Sequence, residues 1–109
     1  ALPISVSSIT VAWDDSNPVE QQLERIITQK WLAMFPLGLE AWSDYRRTGY
    51  PKLMPVKVNN SGGVVSSERG ARRLAYPQEE RSNNLDNYNA AVGMLGGADN
   101  MATDVWWAK

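Results

Sequence analysis

Glu40 and Asp44 stand four residues apart, and Glu79 and Glu80 are adjacent. Two carboxyl groups about 5 Å, or about 6.5 to 9.5 Å, apart suffice for glycoside hydrolysis, so these pairs are the candidates for acid–base work. Twelve acidic residues in the chain produce such pairs by chance, and solvated charge with ion pairing is the preferred reading. Arg46–Arg47 and Arg72–Arg73 form two doublets. Adjacent guanidinium groups could clamp an anionic sugar, but capping of helix carbonyls, or pairing with Glu40, Asp44 or Glu68, is favoured. Five Trp and four Tyr make the chain aromatic-rich. Flat rings stack on the apolar faces of sugars, with Asn, Asp and Arg bonding to hydroxyls. Trp31 falls within a helix stripe, Trp42 and Tyr45 face nearly the same way as Leu37, and Trp106 and Trp107 are expected to dock the tail onto a body. Trp13, at the edge of a loop, is the least committed to packing and is the one candidate ligand-binding residue.

Other chemistries are excluded by composition. The chain has no His, which removes a Ser-His-Asp triad, a His-ligated metal and the usual neutral-pH proton shuttle. It has no Cys, which removes disulfides, thiolate chemistry and Cys-bearing zinc sites. "NSGG" and "LGG" lack the strand, lysine and spacing of a phosphate loop. No cofactor, metal or catalytic residue is assigned. Eleven basic against twelve acidic residues leave a net charge of -1 and no field to hold nucleic acid. The longest nearly apolar run, Trp31 to Leu39, is far short of the roughly 20 residues a membrane-spanning helix needs. "ALPISVSS" has no signal-peptide pattern, so any export signal is expected upstream of Ala1.

The elements that would position these residues are punctuated by Pro and Gly. From Ile4 to Trp13 apolar residues alternate with Ser and Thr, which suits an extended lead-in over residues 1–16. "SNPVE" predicts a helix start with Asn17 as N-cap, Pro18 at the first helical position and Glu20 bonding back. Val19, Leu23, Ile26, Ile27, Trp31 and Met34 then form one stripe of a helix running from Val19 to Phe35. Pro36 breaks it, and a second helical segment carries Ala41, Trp42 and Tyr45 to a basic last turn at Arg46 and Arg47, with Gly49 and Pro51 as stop signals. "EAWSDYRRTGYP" therefore reads as a helix end, and residues 17–49 as a kinked helix pair. Residues 50–83 read as loops, with a short edge hairpin from Val56 to Val65 turning in Asn59 to Gly63. An Asn-capped short helix within residues 84–96 places Leu85, Tyr88, Val92 and Leu95 on one face before Gly96, and 97–109 is a tail.

"LERIITQKWLAMFPLGLEAWSDYRRTGYPKLMPV" (23–56) and "RRLAYPQEERSNNLDNYNAAVGMLGGADNMATDVWW" (72–107) together resemble, in order, the C-terminal region of the SusD/RagB family. The resemblance implies a mainly α fold, helix-rich and tetratricopeptide-like, of which this single segment would be the C-terminal part. It implies a cell-surface lipoprotein of the bacterial outer membrane, anchored outside this segment. Its function would be non-catalytic capture of oligosaccharide or another nutrient for a TonB-dependent, SusC-like transporter. Its partners would be that transporter, the ligand and the upstream part of the same protein. No family site residue maps onto these positions. A glycan-processing enzyme using Asp/Glu pairs and a purely structural docking module remain the alternatives.

The aromatic helix faces and the Trp-Trp tail offer more apolar surface than so short a chain buries. The isolated segment is predicted to bind a hydrophobic dye or to self-associate. A monodisperse monomer that melts cooperatively without binding dye is the contrary result.

Overall fold

A computed structural model describes residues 6–108; Ile4, the start of the expected alternation, lies outside them. Among the described residues there are four helices and no β-strand: α1 (Val19–Ala33), α2 (Gly38–Thr48), α3 (Gln78–Asn83) and α4 (Leu85–Met94). The chain has the mainly α character its sequence predicts. It divides into two compact units, the first running to Met54 and the second spanning Pro55–Ala108.

In the first unit, α1 starts one residue later than its capping signal predicts. Pro18, not Asn17, occupies the N-cap position, and no side chain caps the helix. The Pro18 carbonyl accepts from the Gln21 and Gln22 amides at 2.9 and 3.1 Å. The Gln22 side-chain amide donates instead to the carbonyls of Asp15 and Asn17. At the other end α1 stops at Ala33, two residues before Phe35, because Pro36 has no N–H to continue the ladder. α2 follows after a tight turn and ends at Gly49, whose φ of 78° is the left-handed conformation of a helix C-terminus.

Polar contacts hold α1 against α2. Lys30 Nζ lies 2.6 Å from Asp44 Oδ2, and Arg47 Nη2 lies 2.7 Å from Asp44 Oδ1. Bonds from Lys30 and then Arg47 hold the Asp44 carboxyl below its ordinary pKa. Thr48 donates its hydroxyl to the Asp44 carbonyl at 2.7 Å and accepts from the Tyr50 amide at 3.1 Å, which fixes the exit from α2. Lys52 pairs with the buried Glu24 at 3.2 Å, Tyr50 donates to Glu20 at 2.9 Å, and Arg25 Nε donates to the Thr10 carbonyl at 2.8 Å. Val6 N–H donates to the Lys52 carbonyl at 3.0 Å. The expected apolar stripe of α1 is only partly covered: Ile27 is buried and Leu23, Trp31 and Met34 are half-buried, whereas Val19 and Ile26 are exposed and Glu24 and Arg25 are buried with Ile27.

In the second unit the hairpin expected over Val56 to Val65 does not form. A single backbone bond, Val56 N–H to the Ser67 carbonyl at 2.8 Å, closes the segment. The Asn59 side-chain amide takes the place of a ladder, donating to the Val65 carbonyl and to Ser67 Oγ. Gly62 and Gly63 turn the chain with φ of 66° and 86°. Within the stretch read as loop, residues 78–83 form α3, separated from α4 by Asn84 at φ -142°, ψ 43°.

Gly49→Ala meets no steric contact at its Cβ, so its cost is the left-handed backbone alone. It is expected to lower stability by about 1 kcal/mol, and Gly49→Asn by less, in chemical denaturation.

Candidate functional site

The second unit is organised around one carboxylate. Asp99, with its side chain 4% exposed, accepts from Arg73 Nη1 at 2.6 Å, Arg81 Nη2 at 2.8 Å, Tyr88 Oη at 3.0 Å and the Tyr76 amide at 3.0 Å. Burial alone would raise its pKa. The bonds from Arg73, Tyr76, Tyr88 and Arg81 overrule burial and hold the carboxyl well below the usual carboxylate range. Burial, together with donation to Asp99, pushes the Tyr88 phenol up.

The same contacts place two aromatic rings. Tyr76 and Tyr88 meet edge to face, centroids 5.9 Å apart and planes at 82°. The Arg73 guanidinium lies 4.8 Å from the Tyr76 ring centre, and that of Arg81 lies 5.5 Å from the Tyr88 ring centre. Both rings line a hollow of about 370 Å³ with Pro77, Glu80, Asn84, Asn87 and Ala91. Asn84, which the sequence reads as a helix cap, makes no cap bond. Its amide donates to Glu80 Oε2 at 2.8 Å and its Oδ1 accepts from Asn87 Nδ2 at 2.6 Å, so α3 and α4 share one polar rim. Apolar rings beside a row of amide and carboxylate groups suit a hydroxylated ligand with one apolar face.

A larger hollow of about 540 Å³ in the first unit is lined by Trp31, Leu32, Met34, Phe35, Pro36, Leu37, Gly38 and Ala41. None of these side chains carries a group suited to several hydroxyls, and Phe35 is 88% exposed. It is an apolar surface rather than a site for a polar ligand.

Trp13 belongs to the first unit, is 52% exposed, and donates its indole N–H to Asp15 Oδ1 at 2.6 Å. Trp31 is half-buried, and Trp42 lies 3.6 Å beneath the Arg46 guanidinium. Trp106 is 95% exposed among the described residues, while Trp107 is half-buried. The arginine doublets are not clamps. Arg47 pairs with Asp44, Arg46 is buried against Trp42, Arg73 is bound to Asp99, and buried Arg72 pairs with Asp104, which also accepts from Arg69 at 2.8 Å. Asp44 is likewise consumed by Lys30 and Arg47, whereas Glu40 is exposed. Sequence reasoning missed Tyr76, Asn84 and Asn87; the clustering of Asn with Tyr between residues 76 and 89 was the available signal.

The family model for SusD-like proteins, the SusD and RagB outer membrane lipoproteins, matches residues 2–108. The chain belongs to the SusD-like family. A SusD homologue from Bacteroides uniformis is 60% identical with a TM-score of 0.91, over 94% of this chain and 22% of its own. A chitin-binding SusD homologue from Flavobacterium johnsoniae is 55% identical with a TM-score of 0.84, over 90% of this chain and 20% of its own. A SusD-like protein from Bacteroides thetaiotaomicron is 43% identical with a TM-score of 0.86, over 95% of this chain and 22% of its own. This SusD-like chain thus spans about a fifth of the length of these solved homologues. No curated protein matches it. The family is one of outer-membrane lipoproteins, and among the described residues no helix is long and apolar enough to cross a membrane.

Asp99 has a pKa depressed from an ordinary value of 3.8. The unfolded chain takes up a proton first as pH falls, so the contribution of Asp99 to stability is complete above that ordinary value and lost as pH falls toward the folded one. Asp99→Asn is expected to cost about 3 kcal/mol near neutral pH, because two guanidinium groups lose their counter-charge, and to flatten the acid limb of a stability–pH profile.

Proposed function

We propose that the protein captures a glycan, or another hydroxylated nutrient, at the bacterial outer membrane without transforming it, for import through a TonB-dependent, SusC-like transporter. The observation that carries this reading is the α3–α4 hollow, where Tyr76 and Tyr88 stand beside the Glu80–Asn84–Asn87 rim. Membership of the SusD-like family supports it, as does the likeness to a chitin-binding homologue. Trp13, in the first unit, is proposed independently as a ligand-stacking residue, supported by its exposure on a loop and by an N–H already satisfied by Asp15, which leaves the indole faces for a ligand.

Non-catalytic action is supported by the state of the candidate acids. Asp44 is held ionised by Lys30 and then Arg47, so it is not available as a protonated general acid. Binding energy would come from ring stacking and hydrogen bonds, about 1 kcal/mol for each good contact.

The test is calorimetric titration of the protein with neutral oligosaccharides, chitotriose, cellotriose and maltotriose, with chromatography of the mixture for products. Binding without turnover is expected, weakened about fivefold or more in Tyr76→Ala, and a contribution of the first unit is tested separately by Trp13→Ala. Turnover that disappears in a Glu40→Gln/Asp44→Asn double variant would establish an enzyme instead. Unchanged affinity in Trp13→Ala rules that residue out as a ligand contact.

A further inference from the structure

The α3–α4 rim has a distinct charge pattern. Among the residues lining the hollow, Glu80 is the only charged one. Its Oε2 accepts from Asn84, its Oε1 is a second carboxylate acceptor on a residue that lines the hollow, and Asn87, having donated to Asn84, retains Oδ1 as a further acceptor. The two nearby cations are turned elsewhere: Arg73 is bound to buried Asp99, and Arg81 bonds to the opposite oxygen of the same carboxylate. Within α3 and α4 the acids Glu79, Glu80 and Asp86 outnumber Arg81 three to one, while Arg73 and Asp99 cancel.

We infer that the hollow between α3 and α4 selects uncharged sugar rings and rejects anionic ones, with Glu80 as the specificity-determining residue. This rests on the capture reading above. A sugar hydroxyl donates to the Glu80 carboxylate in a charge-assisted bond, stronger than one between neutral groups. A uronate or sulfate brought to the same place offers no such proton. It meets a like charge within a few ångströms, well inside the screening length of about 8 Å at physiological ionic strength. Selectivity then arises from repulsion of the wrong ligand as much as from attraction of the right one.

The experiment compares affinities of the protein for chitotriose, cellotriose and maltotriose with those for 6-O-sulfated chitotriose and trigalacturonate, at low and at physiological salt. The best neutral ligand is expected to bind at least about tenfold tighter than either anion, with the gap widening at low salt. Glu80→Gln keeps an acceptor for Asn84. It is expected to weaken the neutral ligand about tenfold and to shrink the neutral-over-anionic ratio to less than about threefold. Asn87→Ala, at an exposed position, is expected to weaken the neutral ligand by about threefold without changing that ratio. Anions binding as tightly as neutral sugars, or a ratio untouched by Glu80→Gln in a variant that melts like the parent, overturns the inference and leaves capture standing. Binding of no sugar of either class overturns both.

Discussion

The carboxylate of Asp99 gathers donors from residues 73, 76, 81 and 88 of the second unit. Among the described residues its buried side chains include those of Arg72, Arg73 and Asp99, and none of its large apolar residues is buried. A unit of this kind is not held by the usual transfer of apolar surface from water. It is held by buried charges that have partners, and such pairs contribute most visibly when one partner is taken away, because the other is stranded. The tyrosine pair, the position of α3 against α4 and the shape of the hollow all descend from this one acceptor.

The first unit repeats the principle with different residues. Asp44 of α2 is joined to the last turn of α1 through Lys30 and braced within α2 by Arg47, and Glu24 joins α1 to the segment after α2 through Lys52. Among the described residues Ile27 is the buried large hydrophobic, while Phe35, Leu37 and Leu39 stand open. Polar side chains thus set the relative position of the helices, and the apolar faces point outward. Stability of this unit therefore depends on Asp44 being in its charged form, since bonds from Lys30 and Arg47 lower its pKa in the folded chain.

The polar frame also shapes what a ligand can meet. Tyr88 gives its phenolic proton to Asp99, which fixes the ring that lines the hollow, and Arg73 and Arg81 spend N–H groups on the same carboxylate. What remains on the rim is amide and carboxylate, chemistry suited to hydroxyls. A residue that looks available in a list, such as an arginine of a doublet, becomes structural once a buried acid claims it.

The helices α1, α2 and α4 were legible in the sequence because their signals are local: a 3.6-residue apolar period, Pro36 as a break, Gly49 and Gly96 as left-handed stops. Membership of the SusD-like family was legible for the same reason, since ordered short motifs survive in a linear reading. α3 was not, because "QEERSN" is polar on every side and too short to show a period. Nor was the loss of the hairpin, where one Asn side chain satisfies backbone groups that a ladder would have used. The hollow and the burial of Arg72, Arg73, Glu24 and Arg25 belong to tertiary structure alone. Asp99 meets Arg73 across 26 positions and Asp104 meets Arg72 across 32, and no nearest-neighbour preference along a chain specifies which distant acid will neutralise which base.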